Sequence, residues 1–202
     1  MKDFFRLPAV LTITTIIAAG ALAYVFNITK PKIEAEKRLV MEQSLRQVLP
    51  SANSGVLVSV KNGKKIEYYK GYASPDTTNL VGYIVISSAH GYSSTIEVMV
   101  GVDTSWVIQG IKILSEAETP GLGAKTTEIK YGEKTPWFQR QFIGKKGGNL
   151  AVDKDGGQIK SVTGATISSR AVTHAVNLAI KHLQKLLGKA PSENSQLSLI
   201  FN

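Results

Sequence analysis

The sequence predicts an α+β protein in which an N-terminal transmembrane helix is followed by a twisted antiparallel sheet flanked by helices. Three features predict this fold: an uncharged apolar run at residues 7–26, a series of short alternating segments between residues 56 and 114, and an amphipathic segment at residues 170–187. The chain has 202 residues, which is enough for one membrane segment and one domain of ordinary size.

We divide the chain into four segments from these patterns. Residues 1–29 hold a short N-terminus and the membrane anchor, and residues 30–50 form a charged helix that leads away from the membrane. Residues 51–190 form the domain, and residues 191–202 form a C-terminal tail without an organising period.

Residues 7–26 match the length that a helix needs to cross the hydrocarbon core of a bilayer. The tripeptide at residues 21–23, Ala-Leu-Ala, also fits the cleavage site of a secretory signal, so cleavage is the alternative. The apolar run is long for a signal core and continues through residues 24–26, which favours an uncleaved, single-pass anchor. Basic residues flank both ends of the run, so their distribution does not decide the orientation. Both interpretations export the rest of the chain.

Five segments after the anchor have the alternating apolar pattern of half-buried strands. Asn62-Gly63 supplies the positive φ angles of a tight hairpin turn between the first two segments. The turns at residues 90–91 and 103–105 are also short, which implies antiparallel pairing. The predicted strands are Val56–Lys61, Lys65–Tyr69, Gly82–Ser87, Thr95–Val102 and Val107–Leu114.

Helices are predicted on either side of these strands. Residues 31–47 are charged and periodic, and the pattern ends before Pro50. Residues 170–187 place apolar side chains on one face, and Gly188 and Pro191 end that helix.

The composition excludes several kinds of site. The net charge of +9 suits an anionic partner, but the basic residues are dispersed without a nucleic-acid-binding motif, so no nucleic-acid partner is expected. The lack of cysteine excludes thiolate-ligated clusters, disulfides and a cysteine nucleophile. The three histidines, at positions 90, 174 and 182, do not form a metal pattern. We assign no catalytic residue, and an organic cofactor has to carry any redox chemistry.

The motif Thr163-Gly164-Ala165-Thr166 precedes the last predicted helix. Its two small residues let a bulky group approach the backbone, and the helix N-terminus that follows favours an anion. A phosphate held there, or attached covalently to Thr166, would suit that position. The alternative is a glycine turn with a threonine or serine as the helix cap.

A second unusual segment is the loop at residues 116–125, EAETPGLGAK, about forty residues before the threonine motif. Pro120, Gly121 and Gly123 prevent regular structure and form a tight loop whose backbone can approach a flat ligand closely. In this order, the loop and the motif are more specific together than either is alone.

With Gly91-Tyr92, the loop at residues 118–123 and the motif at residues 163–166, the chain resembles the FMN-binding domain family of respiratory membrane complexes. Within that family it is most similar to G subunits of Rnf-type ion-translocating electron transport complexes. The related C subunits of sodium-pumping NADH:quinone reductases have the same plan but are longer chains, and they rank second.

The resemblance implies FMN joined through its phosphate to Thr166, with a separate magnesium-dependent flavin transferase using FAD as the donor. It also implies that the chain carries electrons among other membrane subunits, as a redox subunit of a translocase. The chain would be anchored in the inner membrane through residues 7–26, with the FMN domain on the periplasmic side. The implied cofactor-binding residues besides Thr166 are Thr163, Gly164 and Ala165 in the motif, and Glu118, Thr119, Pro120, Gly121, Leu122 and Gly123 along one wall of the isoalloxazine site.

The chain departs from the family pattern at two places. Lys160 stands where an acidic residue commonly lies three positions before the motif, which could make attachment depend on a matched transferase. Ser93 and Ser94 follow Gly91-Tyr92, where glycines are often found. A hypothesis from another class is a membrane-anchored extracytoplasmic binding module without a cofactor, in which Thr166 only caps a helix.

Overall fold

The structure is a computed structural model that describes residues 2–63, 65–129, 132–133, 135–188 and 197–199. The chain separates into two compact units, Met1–Glu42 and Gln43–Asn202. The first unit is helical, and the second contains the sheet and the remaining helices.

Helix α1 runs without interruption over Lys2–Val48 and has 47 residues. It joins the two helices predicted at residues 7–26 and 31–47, and Pro8 and Pro31 lie inside it. A proline removes one backbone hydrogen bond, a loss that long apolar helices tolerate at isolated positions. The anchor helix and the charged helix are therefore one continuous helix.

The apolar part of α1 is exposed. From Pro8 onward the helix contains an 18-residue window with a mean hydropathy of 2.1, and no residue of that window is buried. By length and composition this helix could cross a membrane.

The second unit is built on an antiparallel sheet. Among the described residues the strand order is β5-β4-β3-β2-β1-β6, and every neighbouring pair is antiparallel. The five predicted strands are confirmed, with β2 and β3 longer than expected. The strands are β1 Leu57–Asn62, β2 Lys65–Tyr72, β3 Leu80–His90, β4 Thr95–Asp103, β5 Ile108–Ser115 and β6 Leu197–Leu199.

The tail in which the sequence shows no organising period contains strand β6, whose backbone pairs with β1. The rest of the predicted tail, residues 191–196 and 200–202, lies outside the described residues.

One face of the sheet is covered by helix α3, Thr166–Gly188, which packs across β3 and β4. The short helix α2, Trp137–Arg140, adds Phe138, and Phe142 follows it; both side chains are fully buried. The core on this face includes Val85, Val98, Val100, Phe138, Phe142, Val172, Val176, Ile180 and Leu183. This packing fixes the N-terminal end of α3 beside the loops at one end of the sheet.

The opposite face receives the last turn of α1 on a stripe of glycines. A Cβ atom on Gly101 would lie 2.1 Å from the carbonyl oxygen of Val48, and a Cβ on Gly71 would lie 2.4 Å from Cδ2 of Leu49. Because side chains alternate along a strand, Gly101 faces away from its neighbours Val100 and Val102, which pack under α3. The glycines of the stripe are Gly71, Gly82, Gly101 and Gly110, on β2 to β5.

Candidate functional site

The threonine motif forms a tight turn that leads directly into α3. The N–H of Ala165 donates to the carbonyl of Val162 at 2.9 Å, and Gly164 has a φ of +78°. A residue with a Cβ atom would be strained at that φ. Thr166 is the first residue of α3, so the helix begins one turn before the predicted start at Arg170.

The hydroxyl that closes this turn belongs to Ser169. Its Oγ accepts a hydrogen bond from the N–H of Val162 at 3.0 Å and donates one to the carbonyl of Ala165 at 2.9 Å. Thr166 is half-buried, and its hydroxyl has no hydrogen-bond partner among the described residues. The side chain of Thr166 is therefore not the cap of this helix in the structure.

The loop at residues 118–123 folds over the motif turn. Gly121 has a φ of +76°, and the N–H of Leu122 donates to the carbonyl of Thr119 at 3.1 Å. A Cβ on Gly164 would lie 3.2 Å from Cδ2 of Leu122, so the side chain of Leu122 rests on the motif turn. A short 3-10 helix, Gly123–Thr126, continues the loop.

Glu118 connects this loop to two other segments. Its side chain is only 5% exposed, and Ser168 Oγ donates to its Oε2 at 2.5 Å. The N–H of Tyr92 donates to Oε2 at 3.1 Å, while the N–H groups of Ser93 and Ser94 donate to Oε1 at 3.1 and 3.0 Å. The Oγ of Ser94 also lies 3.0 Å from Oε1. One carboxylate thus joins the loop after β3, the loop after β5 and the first turn of α3.

Two glycines make room for this carboxylate. A Cβ on Gly91 would lie 2.6 Å from Oε1 of Glu118. A Cβ on Gly123 would lie 2.5 Å from Oγ of Ser168 and 2.6 Å from Oε2 of Glu118. The loop glycine Gly123 is therefore required by a contact within the protein, whereas the sequence suggested a close approach to a ligand.

Hydrogen bonding keeps Glu118 ionised. Burial by itself raises the pKa of this carboxyl, but the hydrogen bonds from Ser168, Ser94, Ser93 and Tyr92 outweigh burial and lower the pKa from 4.5 to about 2. At neutral pH the group is a carboxylate whose oxygens are engaged with donors, so it is not a general base.

A cavity of about 440 Å³ lies between the loop and the start of α3. Its volume falls in the range of small-molecule sites. Of the residues implied by the family resemblance, it is lined by Glu118, Thr119, Leu122, Gly123, Gly164, Ala165 and Thr166. Thr163, Pro120 and Gly121 do not line it, while Tyr92, Ile167 and Ser168 do and were not assigned from the sequence.

The sequence contains only part of the information needed to assign Tyr92, Ile167 and Ser168 to the site. Tyr92 lies in a dipeptide that carried the resemblance, but nothing in the sequence placed it beside the motif. Ile167 and Ser168 follow the motif directly, and the late predicted start of the helix left them unassigned. Tyr92, Leu122 and Ile167 are 67%, 46% and 50% exposed, so an apolar rim surrounds the cavity.

The segment before the motif is held by polar contacts. The backbone of Lys160 exchanges two hydrogen bonds with the side chain of Gln141, at 2.8 and 3.0 Å, and the side chain of Lys160 is exposed. Oδ1 of Asp153 accepts a hydrogen bond from the N–H of Ser161 at 3.0 Å, and hydrogen bonds from Ser161 lower the pKa of Asp153. The carboxylate of Asp153 therefore contacts the segment that carries Lys160.

Comparison with known proteins matches a cofactor-binding family to the part of the chain that holds the cavity. The FMN-binding domain family matches residues 91–181, which include the cavity residues. The G subunit of the Na(+)-translocating ferredoxin:NAD(+) oxidoreductase complex of Acetobacterium woodii is 32% identical over 202 residues, covering 92% of this chain and 94% of that protein. The chain belongs to the G-subunit family of ion-translocating oxidoreductase complexes. Residues 91–181 of this G-subunit family member match the FMN-binding domain.

A second G subunit supports the assignment to this family, and a solved structure shows the same fold. The G subunit of the proton-translocating ferredoxin:NAD(+) oxidoreductase complex of Clostridium ljungdahlii is 33% identical over 190 residues, covering 93% of this chain and 95% of that protein. The crystal structure of the C subunit of Na(+)-translocating NADH-quinone reductase from Parabacteroides distasonis superposes with a TM-score of 0.52 and 22% identity. The match covers 79% of this chain and 98% of that one, and shows that the fold is shared.

Proposed function

We propose that this chain is the electron-carrying G subunit of a membrane-bound ion-translocating oxidoreductase complex, with FMN joined through its phosphate to Thr166. The observation that carries the proposal is the Thr166 hydroxyl, which lacks a hydrogen-bond partner among the described residues. It belongs to the first residue of α3 and lines the cavity of an FMN-binding domain. The other membrane subunits of the complex supply and remove the electrons.

The start of α3 suits a phosphate. The first N–H groups of a helix have no intrahelical acceptor, and the helix dipole adds a partial positive charge there. A phosphodiester on Thr166 retains one negative charge, which these groups would stabilise. Gly164 and Ala165 leave space beside the threonine, and the cavity next to it fits a ligand of FMN's kind.

The rim of the cavity suits a flat aromatic ring. Tyr92, Leu122 and Ile167 present exposed apolar surface around the opening, which a bound ring system would cover. FMN supplies the redox chemistry by accepting and releasing electrons, while the chain supplies tethering, orientation and electrostatics.

Attachment to Thr166 requires a separate flavin transferase with FAD as the donor. The oxygen of Thr166 forms a bond to the phosphorus of the flavin half, the phosphoanhydride bond breaks, and AMP leaves. The hydroxyl proton departs with a base of the transferase, and no electrons are transferred. The exposure of Thr119 and Ile167 gives the transferase access to this position.

Helix α1 anchors the domain in the lipid bilayer. Its exposed apolar residues would be covered by lipid, and the length of the apolar segment suits a single crossing. We place the FMN domain on the periplasmic side of the inner membrane, where a covalent bond prevents loss of a soluble cofactor.

The test is coexpression of the full chain with a flavin transferase, followed by denaturing electrophoresis and intact mass measurement. The expected result is a fluorescent band with the added mass of FMN, and loss of both in Thr166→Ala. Thr173→Val is the matched control, because Thr173 lies two turns from the motif and its hydroxyl donates to the Ser169 carbonyl. A dark wild-type band, with a transferase that labels another substrate, would favour a binding module without a cofactor.

A further inference from the structure

We propose that Glu118 is a positioning residue for flavin attachment, because its carboxylate fixes the first turn of α3 through Ser168 and so sets the position of the Thr166 hydroxyl. This inference rests on the proposed attachment at Thr166. It assigns to Glu118 a role in maturation of the protein, in addition to its place in the wall of the cavity.

The hydrogen bonds of Glu118 converge from distant parts of the chain. Ser168 lies 50 residues after Glu118, and the donors at residues 92–94 lie 24 to 26 residues before it. The loops after β3 and after β5 lie side by side because β4 pairs with β5, whereas the start of α3 comes from a distant part of the chain. The carboxylate therefore fixes the position of the start of α3 relative to the two loops that form the other walls of the cavity.

The first turn of a helix needs such a contact. Its N–H groups lack intrahelical acceptors, and helix ends open more readily than helix centres. Ser168 is two residues from Thr166 in that turn, so a shift of Ser168 moves Thr166 with it. A displacement of about 1 Å at a reacting group can lower a rate by roughly 100-fold.

Glu118 also determines which hydroxyls remain available. The first turn of α3 carries hydroxyls on Thr166, Ser168 and Ser169. Ser168 donates to Glu118, and Ser169 donates to the carbonyl of Ala165, and both side chains are buried. This leaves the hydroxyl of Thr166 as the one in this turn that faces the cavity without a partner among the described residues.

The experiment measures transfer of FMN to purified, detergent-solubilised full chain by a flavin transferase, as initial rates over a range of protein concentrations. Four proteins are compared: wild type, Glu118→Gln, Ser168→Ala and the control Thr173→Val. Ser168→Ala removes only the helix contact and leaves the loop hydrogen bonds of Glu118, so it decides the outcome if Glu118→Gln does not fold. Hydrogen exchange of the amides of Ala165 and Ser169, which donate to the carbonyls of Val162 and Ala165, is measured on the same samples without flavin.

The expected result is a kcat for transfer at least about tenfold lower in Glu118→Gln and Ser168→Ala, with a smaller change in KM. Exchange of the Ala165 and Ser169 amides should be faster in both variants, while Thr173→Val should match the wild type in transfer rate and in exchange of these two amides. Wild-type transfer rates and exchange in folded Ser168→Ala would overturn the positioning role. A wild type that accepts no FMN contradicts the attachment itself, so the two failures are distinguishable.

Discussion

The hydroxyl of Ser168 donates a 2.5 Å hydrogen bond to Oε2 of Glu118, although the two residues are 50 positions apart in the sequence. Both residues line the cavity between the loop at residues 118–123 and helix α3. A charge-assisted hydrogen bond between buried partners is among the stronger polar contacts in proteins. The geometry of the proposed attachment site at Thr166 therefore rests on a carboxylate that does not itself react.

The first prediction concerns the choice of hydroxyl. In Thr166→Ala, FMN should not move to Ser168 or Ser169, because both hydroxyls are buried and hydrogen-bonded. Peptide mass mapping after coexpression with a transferase measures this directly. FMN found on either serine would show that their hydrogen bonds do not restrict the modification.

The second prediction concerns Gly123. In Gly123→Ala the new methyl group would lie 2.5 Å from Oγ of Ser168 and 2.6 Å from Oε2 of Glu118, so these partners must separate. We expect a loss of about 1–3 kcal/mol in the free energy of unfolding, typical of overpacking, together with reduced flavin labelling. Urea unfolding and gel fluorescence are the measurements.

Gly188→Ala is the matched control for this substitution. Gly188 ends α3, has no positive φ, and a Cβ atom there would meet nothing within 4 Å. Its unfolding free energy should change by less than about 0.5 kcal/mol. Equal effects of the two substitutions would contradict the importance of the close contact at Gly123.

The third prediction concerns pH. The pKa of Glu118 falls from 4.5 to about 2 on folding, so the native state binds this proton less tightly than the unfolded state does. The contribution of Glu118 to the free energy of unfolding is at most about 3 kcal/mol. It is fully present above pH 4.5 and is lost as the pH falls toward 2. Unfolding free energies of wild type and Glu118→Gln between pH 6 and 2 should therefore converge as the pH falls. A constant difference across this range would contradict the assignment.

The sequence predicted the elements whose signals are local. Strands β1 to β5 follow from apolar alternation and from the Asn62-Gly63 turn, and each of these signals lies within a few residues. The placement of Thr166 near a helix N-terminus follows in the same way, because the small residues of the motif precede an amphipathic segment.

What the sequence did not predict depends on contacts between distant residues. Thr166, Ser168 and Ser169 have modest helix propensity, so their first helical turn is stabilised by Glu118 and by the turn at Val162, neither of which is visible as a pattern. In the sequence, Gly101 is only a residue that weakens a strand. The structure shows why a glycine is needed there, because the backbone of Val48 lies against it.

The fourth prediction follows from that glycine. In Gly101→Ala the new methyl group would lie 2.1 Å from the carbonyl oxygen of Val48, which is backbone and cannot rotate away. We expect the free energy of unfolding to fall by about 1–3 kcal/mol or more in urea unfolding, with Gly188→Ala again as the control. An unchanged midpoint would mean that the end of α1 shifts freely on the sheet.

The last prediction concerns the charge beside the motif. Gln141 holds the backbone of Lys160, whose side chain is exposed, and the positive charge of Lys160 should favour the reduced, anionic flavin. Lys160→Asp should lower the midpoint potential of bound FMN by roughly 5–20 mV, the two-electron equivalent of an exposed charge interaction. Lys185→Asp makes the same charge change in the last turn of α3, far from the motif along the helix, and should leave the potential nearly unchanged. Because salt screens exposed charges, the shift should shrink as ionic strength rises, and a shift independent of salt would point to a structural change instead.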